Sequence, residues 1–191
     1  CAMSSSPEQA LKALIASQPG EHPPWLQLTA LLEQSGKLTE AEDFYRQLIE
    51  QLPELPVARF NFACFLRRRG RLEEALLQHQ KALDLGIDQP EEVLSNMGVI
   101  HTELRRDADA RAHLERAHQQ APDDAITMFR YGMVLRALGE TETASALIAR
   151  ARLTEREEWQ RLLPTVQHLA WYLGCVENGL DYEGLPGAAG V

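Results

Sequence analysis

Residues 25–53 read WLQLTALLEQSGKLTEAEDFYRQLIEQLP, and this stretch carries two amphipathic patterns separated by a glycine. Apolar residues recur every three or four positions on both sides of Gly36, which predicts two helices, and Pro53 predicts the end of the second. The glycine marks the turn between them. The predicted element is a helical hairpin, whose two helices we call helix A and helix B.

The same pattern returns three more times at a spacing of 34 or 35 residues. Alanine marks helix B in two sets of positions: Ala41, Ala75, Ala110 and Ala144, then Ala82, Ala117 and Ala151. The turn glycine recurs as Gly70 and Gly139, whereas Arg105 stands at the equivalent position of the third repeat. Such a period is typical of a stacked array in which each hairpin buries its apolar face against its neighbours.

The order of residue types in each repeat resembles the tetratricopeptide repeat. Its clearest copy combines Trp25, Leu28, Gly36, Ala41, Tyr45 and Pro53, and the resemblance covers residues 22–156. It implies an all-α fold, an α-solenoid of tetratricopeptide-type helical hairpins in a right-handed superhelix, with extra helices at both ends.

The predicted boundaries follow from the repeats and their flanks. Residues 1–6 are expected to be a tag-derived or disordered start, and residues 7–20 a half-repeat helix. The four repeats are residues 22–55, 56–90, 91–124 and 125–156. Residues 157–177 predict one or two C-terminal capping helices, with Pro164 in a first turn or at a kink. The glycine-rich residues 178–191 predict a tail.

Composition limits the classes of partner. The net charge is −9, from 19 Lys and Arg against 28 Asp and Glu, which disfavours a nucleic-acid-binding surface. No apolar run approaches the roughly 18 residues of a membrane span. Cys1, Cys64 and Cys175 lack the spacing of a disulfide framework or a metal site. We therefore expect a cytoplasmic protein with neither nucleic acid nor membrane among its partners.

The sequence contains no motif for catalysis or for cofactor binding, such as a glycine-rich phosphate loop, HExxH or CxxC. His113 and His118 are five residues apart, so they point to different sides of a helix and are expected to be solvated. His79 and His101 occupy interior positions, where we expect histidines with satisfied hydrogen bonds. We expect no enzyme activity, no metal and no cofactor.

The candidate binding residues lie on the face of helix A that looks away from helix B, which lines the concave side of a stacked superhelix. Gln27, Asn61, Asn96 and Arg130 share one repeat position. Amides offer a donor and an acceptor to the backbone of an extended peptide. The resemblance implies this role for Asn61 and Asn96. The alternative is that these amides tie neighbouring helices together.

The predicted groove also has an apolar floor and an arginine edge. Its remaining residues are Phe60, Cys64, Val99, Phe129 and Met133, with Arg67, Arg68 and Arg136 at the edge. Guanidinium groups favour a partner with carboxylates or phosphate, although Arg67 and Arg68 also end a helix, where cations complement the dipole.

Some tetratricopeptide domains clamp a terminal carboxylate, and this sequence matches that clamp only in part. Asn96 and Arg130 fall at clamp positions, but Phe60, Cys64 and Ile126 replace the expected lysine, asparagine and second lysine. The resemblance therefore does not imply binding of chaperone C-termini.

The leading hypothesis is a protein-interaction scaffold that binds a partner peptide in the concave groove. Two alternatives stay open. The chain is a substrate-recruiting segment of a larger enzyme, since residues 88–100 resemble repeats that precede bacterial sulfotransferase domains. Or the array forms a homo-oligomer in which Leu180, Tyr182 and Leu185 of one tail enter the groove of another copy.

Overall fold

Helices succeed one another throughout residues 6–162, the part of the chain that the computed structural model describes; residues 155–162 are described by their backbone alone. The described part contains α1 (Pro7–Ser17), α2 (His22–Gln34), α3 (Leu38–Gln51), α4 (Pro56–Arg68), α5 (Leu72–Asp84), α6 (Pro90–Glu103), α7 (Asp107–Gln120), α8 (Ala125–Ala137) and α9 (Thr141–Leu162). The prediction of an all-α repeat fold is confirmed.

The chain divides into two compact units, unit 1 up to Val93 and unit 2 from Leu94. In unit 1, the helices from α1 to α5 each pack against the next one along the chain. In unit 2, α7 packs on α8 and α8 on α9. Helices α2, α4, α6 and α8 are the A helices of the four repeats, and α3, α5, α7 and α9 are the B helices.

Each A helix is followed, two positions after its last residue, by a residue in the left-handed backbone region. The φ angles are 73° at Gly36, 74° at Gly70 and 86° at Gly139, and 60° at Arg105. A side chain at such a φ costs roughly 1–2 kcal/mol, which glycine avoids. Arg105 therefore makes the same turn as the three glycines and does so under backbone strain.

The core of unit 1 is built from leucines and stacked aromatic rings. Leu28, Leu32 and Leu48 are fully buried. The ring of Tyr45 on α3 stacks on Phe62 of α4, with centroids 5.5 Å apart, and its centroid lies 5.4 Å from that of Phe65. These contacts join the first hairpin to the second.

In unit 2, glycines let the A and B helices approach closely. A Cβ added to Gly98 of α6 would lie 2.5 Å from Leu114 Cγ on α7. A Cβ added to Gly132 of α8 would lie 2.7 Å from Ile148 Cγ1 and 3.1 Å from the backbone oxygen of Ala144 on α9. Any side chain at these two positions would push the helices apart.

The connections between repeats follow from prolines and one inserted residue. Pro56 and Pro90 are the first residues of α4 and α6. Proline lacks a backbone N–H, and at this position an N–H would have no acceptor within the helix. Residues 85–89 connect α5 to α6 with five residues, whereas residues 52–55 and 121–124 make the equivalent connections with four.

Helix α9, the last in the described part of the chain, extends beyond the predicted repeat. Helix α9 is continuous from Thr141 to Leu162, so the predicted boundary between residues 156 and 157 lies within it. No glycine or proline stands between Gly139 and Pro164 to end the helix earlier. The remaining predicted capping segment and the tail with Leu180, Tyr182 and Leu185 lie outside the described residues.

Candidate partner-binding surface

The predicted site residues lie on the A helices, divided between the two units. We call this surface the A-helix face of each unit. In unit 1 it comprises Gln27, Phe60, Asn61, Cys64, Arg67 and Arg68, and in unit 2 it comprises Asn96, Val99, Phe129, Arg130, Met133 and Arg136. Gln27, Arg68 and Arg136 are exposed and the other nine are partly buried, so none of the twelve is sealed in the core.

The amides of unit 1 are available for hydrogen bonding. Gln27 on α2 is exposed, and Asn61 on α4 is partly buried. Neither side chain makes a hydrogen bond to another residue of the described part of the chain. In unit 1, therefore, the amides do not tie neighbouring helices together.

A buried histidine lies directly behind the A-helix face of unit 1. His79 on α5 is 0% exposed, and its ring centroid lies 5.5 Å from that of Phe60. Neither ring nitrogen has a hydrogen-bond partner within the described residues, which contradicts the expectation of a satisfied histidine. Burial, assisted by the charge of Arg67, lowers the pKa of His79 to about 4, so the ring is neutral at pH 7.

Cys64 is poorly suited to nucleophilic chemistry. It is partly buried on α4, and burial raises the pKa of the Cys64 thiol to about 11. The positive charge of Arg68 acts in the opposite direction but is the smaller influence. The thiol is thus protonated near neutral pH and serves as a small apolar contact on the face.

The arginine edge of unit 1 is engaged by carboxylates. Arg68 Nη2 forms an ion pair with Glu33 Oε2, and Tyr45 Oη donates a 2.8 Å hydrogen bond to the other oxygen of that carboxylate. Arg71 Nη1 lies 2.6 Å from Glu42, and its Nη2 lies 2.6 Å from Glu74. Of the predicted edge in unit 1, Arg68 is therefore neutralised by a carboxylate of the same unit.

The arginine of the shared repeat position in unit 2 donates to two side chains of the neighbouring A helix. Arg130 Nη1 on α8 donates to Ser95 Oγ over 2.8 Å and to Asn96 Oδ1 over 3.4 Å, both on α6. Asn96 therefore does bridge two helices, through a long hydrogen bond. The second reading of the amides as ties between helices holds for this position of unit 2.

Helix α8 presents an apolar strip that ends in a cation. Phe129, Met133 and Arg136 are spaced at i, i+4 and i+7, so they share one helix face. Arg136 is exposed, and its Nη2 contacts Met133 Sδ at 3.1 Å. Within the described residues no carboxylate lies within ion-pairing distance of Arg136.

Sequence reasoning missed two residues that shape these faces. Glu33 lies 35 residues before its partner Arg68, nearly one repeat, and this spacing is the only signal of the pair. Ser95 accepts hydrogen bonds from Arg130 and from Thr127. A serine where the other repeats have Leu26, Phe60 and Phe129 was the available signal.

His113 and His118 lie against other aromatic rings. His113, expected to be solvated, is partly buried with its ring stacked on His101 at 4.8 Å. His118 is partly buried 5.9 Å from the ring of Tyr131, and burial lowers its pKa. Among the described residues, no group of three or more His, Cys, Asp or Glu side chains is arranged to hold a metal ion.

None of the described helices is both long and apolar enough to cross a membrane.

Comparison with known proteins agrees with this architecture. Residues 61–87 and residues 106–163 each match a family model described as a tetratricopeptide repeat. No curated protein is significantly similar to the sequence as a whole.

Solved structures share the fold at low sequence identity. YrrB, a TPR protein with an unusual peptide-binding site, is 21% identical with a TM-score of 0.66, covering 77% of this chain and 75% of YrrB. MamA is 14% identical with a TM-score of 0.69, covering 80% and 89%. PilF from Pseudomonas aeruginosa is 19% identical with a TM-score of 0.69, covering 93% and 85%.

Two segments of the chain therefore match the tetratricopeptide repeat family, and the fold of the described residues agrees with that of tetratricopeptide repeat proteins. In general terms, this is a family of protein-interaction scaffolds, and its members are as a rule not enzymes.

Proposed function

We propose that this chain is a protein-interaction scaffold that binds an extended peptide of a partner along its A-helix faces and performs no chemistry itself. The observation that carries the proposal is the repeated polar position beside apolar side chains. Asn61 offers an amide that makes no hydrogen bond to the described residues, next to the partly buried ring of Phe60. Such a surface can pair with a peptide backbone and cover alternate side chains.

The acidic group proposed for the partner is best met in unit 2. Arg68 is paired with Glu33, whereas exposed Arg136 contacts the thioether of Met133, a weak acceptor. A carboxylate would be a much stronger partner for that guanidinium. We therefore place an acidic residue of the peptide beside Arg136, with an apolar residue over Phe129 and Met133.

Three further observations support this proposal. YrrB shares the fold and is a TPR protein with a peptide-binding site. The net charge of −9 opposes binding to polyphosphate backbones, so nucleic acid is not a proposed partner. The widely spaced cysteines support a cytoplasmic location as part of the same proposal.

Selection from a library of random peptides, followed by calorimetry with the whole chain, tests the proposal. Replacing both Asn61 and Asn96 with alanine should weaken the selected peptide by roughly five- to thirtyfold, since one net hydrogen bond is worth about 1 kcal/mol. The control replaces Gln47 and Gln119, exposed amides on α3 and α7. Equal affinity of the asparagine variant and the wild type would reject the A-helix faces as the binding surface.

A further inference from the structure

Helix α1 has the register of a B helix, but it exposes a residue that the other B helices bury. Leu14 lies one repeat before Leu48 of α3. Leu14 is 46% exposed and Leu48 is 0% exposed. In the later repeats Ala82, Ala117 and Ala151 hold this position, and all three are buried. A complete hairpin covers the position with its own A helix, whereas no A helix among the described residues covers it on α1.

Helix α2 contributes a second partly uncovered row, directly beside α1. Pro24 and Leu31 on α2 are partly buried. The equivalent residues of the later A helices are all buried, namely Ala58, Phe65, Val93, Ile100, Thr127 and Val134.

The rows of α1 and α2 form one surface. Helix α1 packs on α2. Leu11 and Leu31 hold the repeat positions of Tyr45 and Phe65, whose ring centroids lie 5.4 Å apart one repeat later. We therefore group Leu11, Leu14, Pro24 and Leu31 as the α1–α2 surface, an apolar area that spans two packed helices.

The four side chains of the α1–α2 surface carry no charge, because the charged residues of α1 are directed towards α3 and the turn before it. Glu8 Oε2 lies 2.6 Å from Lys37 Nζ. Lys12 Nζ lies 3.4 Å from Glu40 Oε2 and 5.5 Å from the centroid of the Phe44 ring. Two copies of this acidic chain, each with a net charge of −9, can therefore bring these surfaces together without opposing like charges in the contact.

Among the described helices of a second copy, α1 is suited to cover this surface. The rows of α3, α5, α7 and α9 are buried within their own hairpins, so these helices could not enter without opening a repeat. Helix α1 exposes Leu14, with Ala10 and Ala13 beside it as small residues that permit close approach. Each α1 can thus lie on the surface of the other copy, in a two-fold contact that closes with two chains.

We propose that the α1–α2 surface is a self-association surface on which α1 of a second copy lies. In this dimer Leu14 of each copy is buried near the two-fold axis against α1 of the other copy. The contact itself does not rest on the proposed function. If the proposed function also holds, the dimer carries two sets of A-helix faces and binds a partner with two peptide segments through avidity.

Sedimentation equilibrium of the whole chain over a range of concentrations tests the contact. Two short helix faces bury less than the roughly 1,200 Å² of a standard interface, so we expect a weak dimer that dissociates on dilution. The weight-average mass should rise from 21.5 kDa towards twice that value as the concentration increases. A wild-type chain that stays monomeric up to about 1 mM overturns the proposal.

Substitutions at position 14 locate the contact. Leu14→Glu and Leu14→Lys should each weaken dimerisation at least about tenfold, because both remove buried apolar area and place like charges on the two copies. Leu77→Glu is the matched control, since Leu77 is 52% exposed on α5, outside the α1–α2 surface. Circular dichroism of the variants should match that of the wild type, because residue 14 is exposed in the single chain.

A mixture of the two charged variants provides the sharpest test. Leu14→Glu and Leu14→Lys should be monomeric alone and should form a mixed dimer together, since opposite charges then meet across the two α1 helices. Restored association of the mixture supports the proposal. A mixture that stays monomeric overturns it, as does a Leu14→Glu variant that associates as strongly as the wild type through another part of the chain.

Discussion

The two units use the same repeat but treat the arginines of the A-helix face differently. In unit 1, Arg68 is paired with the carboxylate of Glu33. In unit 2, Arg130 is held by Ser95 and Asn96, and Arg136 contacts Met133. In unit 1 a carboxylate neutralises the charge of Arg68, whereas in unit 2 Arg130 donates to a hydroxyl and an amide, and Arg136 to a thioether.

The units also differ in how they fill one position of helix B. Tyr45 and His79 occupy it in unit 1, and Leu114 and Ile148 occupy it in unit 2. The leucine and isoleucine lie over glycines, whereas His79 lies against Phe60 with its nitrogens unpaired. Conservation of the hairpin therefore does not require conservation of the packing. In unit 2 the helices of each hairpin cross closely with apolar side chains at the crossing. In unit 1 the buried imidazole of His79 lowers the stability of the fold.

The largest expected effect is on the acid stability of unit 1. The pKa of His79 is about 4 when folded and about 6.5 when unfolded, so the unfolded chain binds the proton first as the pH falls. Stability is therefore lost between about pH 6.5 and pH 4, by roughly 3 kcal/mol at about 1.4 kcal/mol per pKa unit. His79→Leu, which copies unit 2, should remove this loss and be more stable at pH 7 by about 1–2 kcal/mol.

Urea denaturation from pH 7 to pH 4 checks this prediction. The wild-type and His79→Leu curves of unfolding free energy against pH should diverge as the pH falls. Parallel curves would mean that His79 is already protonated or solvated in the folded chain.

A second prediction concerns the tight crossing of unit 2. Gly132→Ala introduces the residue that unit 1 has at the equivalent Ala63, and its Cβ would meet Ile148 and the backbone of Ala144. We expect a loss of about 2 kcal/mol in unfolding free energy. Gly20→Ala is the control, because no atom lies within 4 Å of the added Cβ. Equal midpoints for the two variants would show that the helices in unit 2 can separate without cost.

A third prediction exchanges the turn residues of the two units. Arg105→Gly should stabilise the chain by about 0.5–1 kcal/mol, because relief of the left-handed strain exceeds the added entropy of the unfolded glycine. The reciprocal Gly70→Arg should destabilise by a similar amount. Thermal unfolding of both variants gives the comparison, and a shift in the same direction for the two would contradict the strain at Arg105.

The smallest effect is expected in binding. Arg136→Glu should lower the affinity for an acidic peptide roughly fivefold. An exposed ion pair contributes about 0.2–1 kcal/mol, and the reversed charge adds repulsion. Arg116→Glu on the exposed side of α7 makes the same charge change away from the A-helix face. If both variants lower the affinity for the peptide equally, the effect comes from the net charge of the chain and not from a contact with Arg136.

Much of the fold follows from periodicity. The spacing of Ala41, Ala75 and Ala110 predicted the hairpins because small residues must recur wherever helices cross closely. Arg105 was correctly placed in a turn, since its position in the repeat outweighs its poor fit to a positive φ. The length of α9 was not predicted. The repeat period indicates where a helix can end, but the helix continues until a glycine or proline interrupts it.

The sequence predicted where the candidate site residues lie in the fold, but not which residues they contact. The repeat register shows that Asn61 and Arg68 lie on helix A, but rotamers decide that Arg68 reaches Glu33 while Asn61 bonds to no described residue. Similarly, the unpaired nitrogens of His79 depend on what surrounds the ring, which no linear pattern records.

The central claim is that a partner lies along the A helices. Amide chemical-shift mapping of the whole ¹⁵N-labelled chain with a selected peptide tests it most directly. The account predicts shifts concentrated on α2, α4, α6 and α8, including Asn61, Asn96 and Arg136. Shifts concentrated instead on α3, α5, α7 and α9 would contradict it.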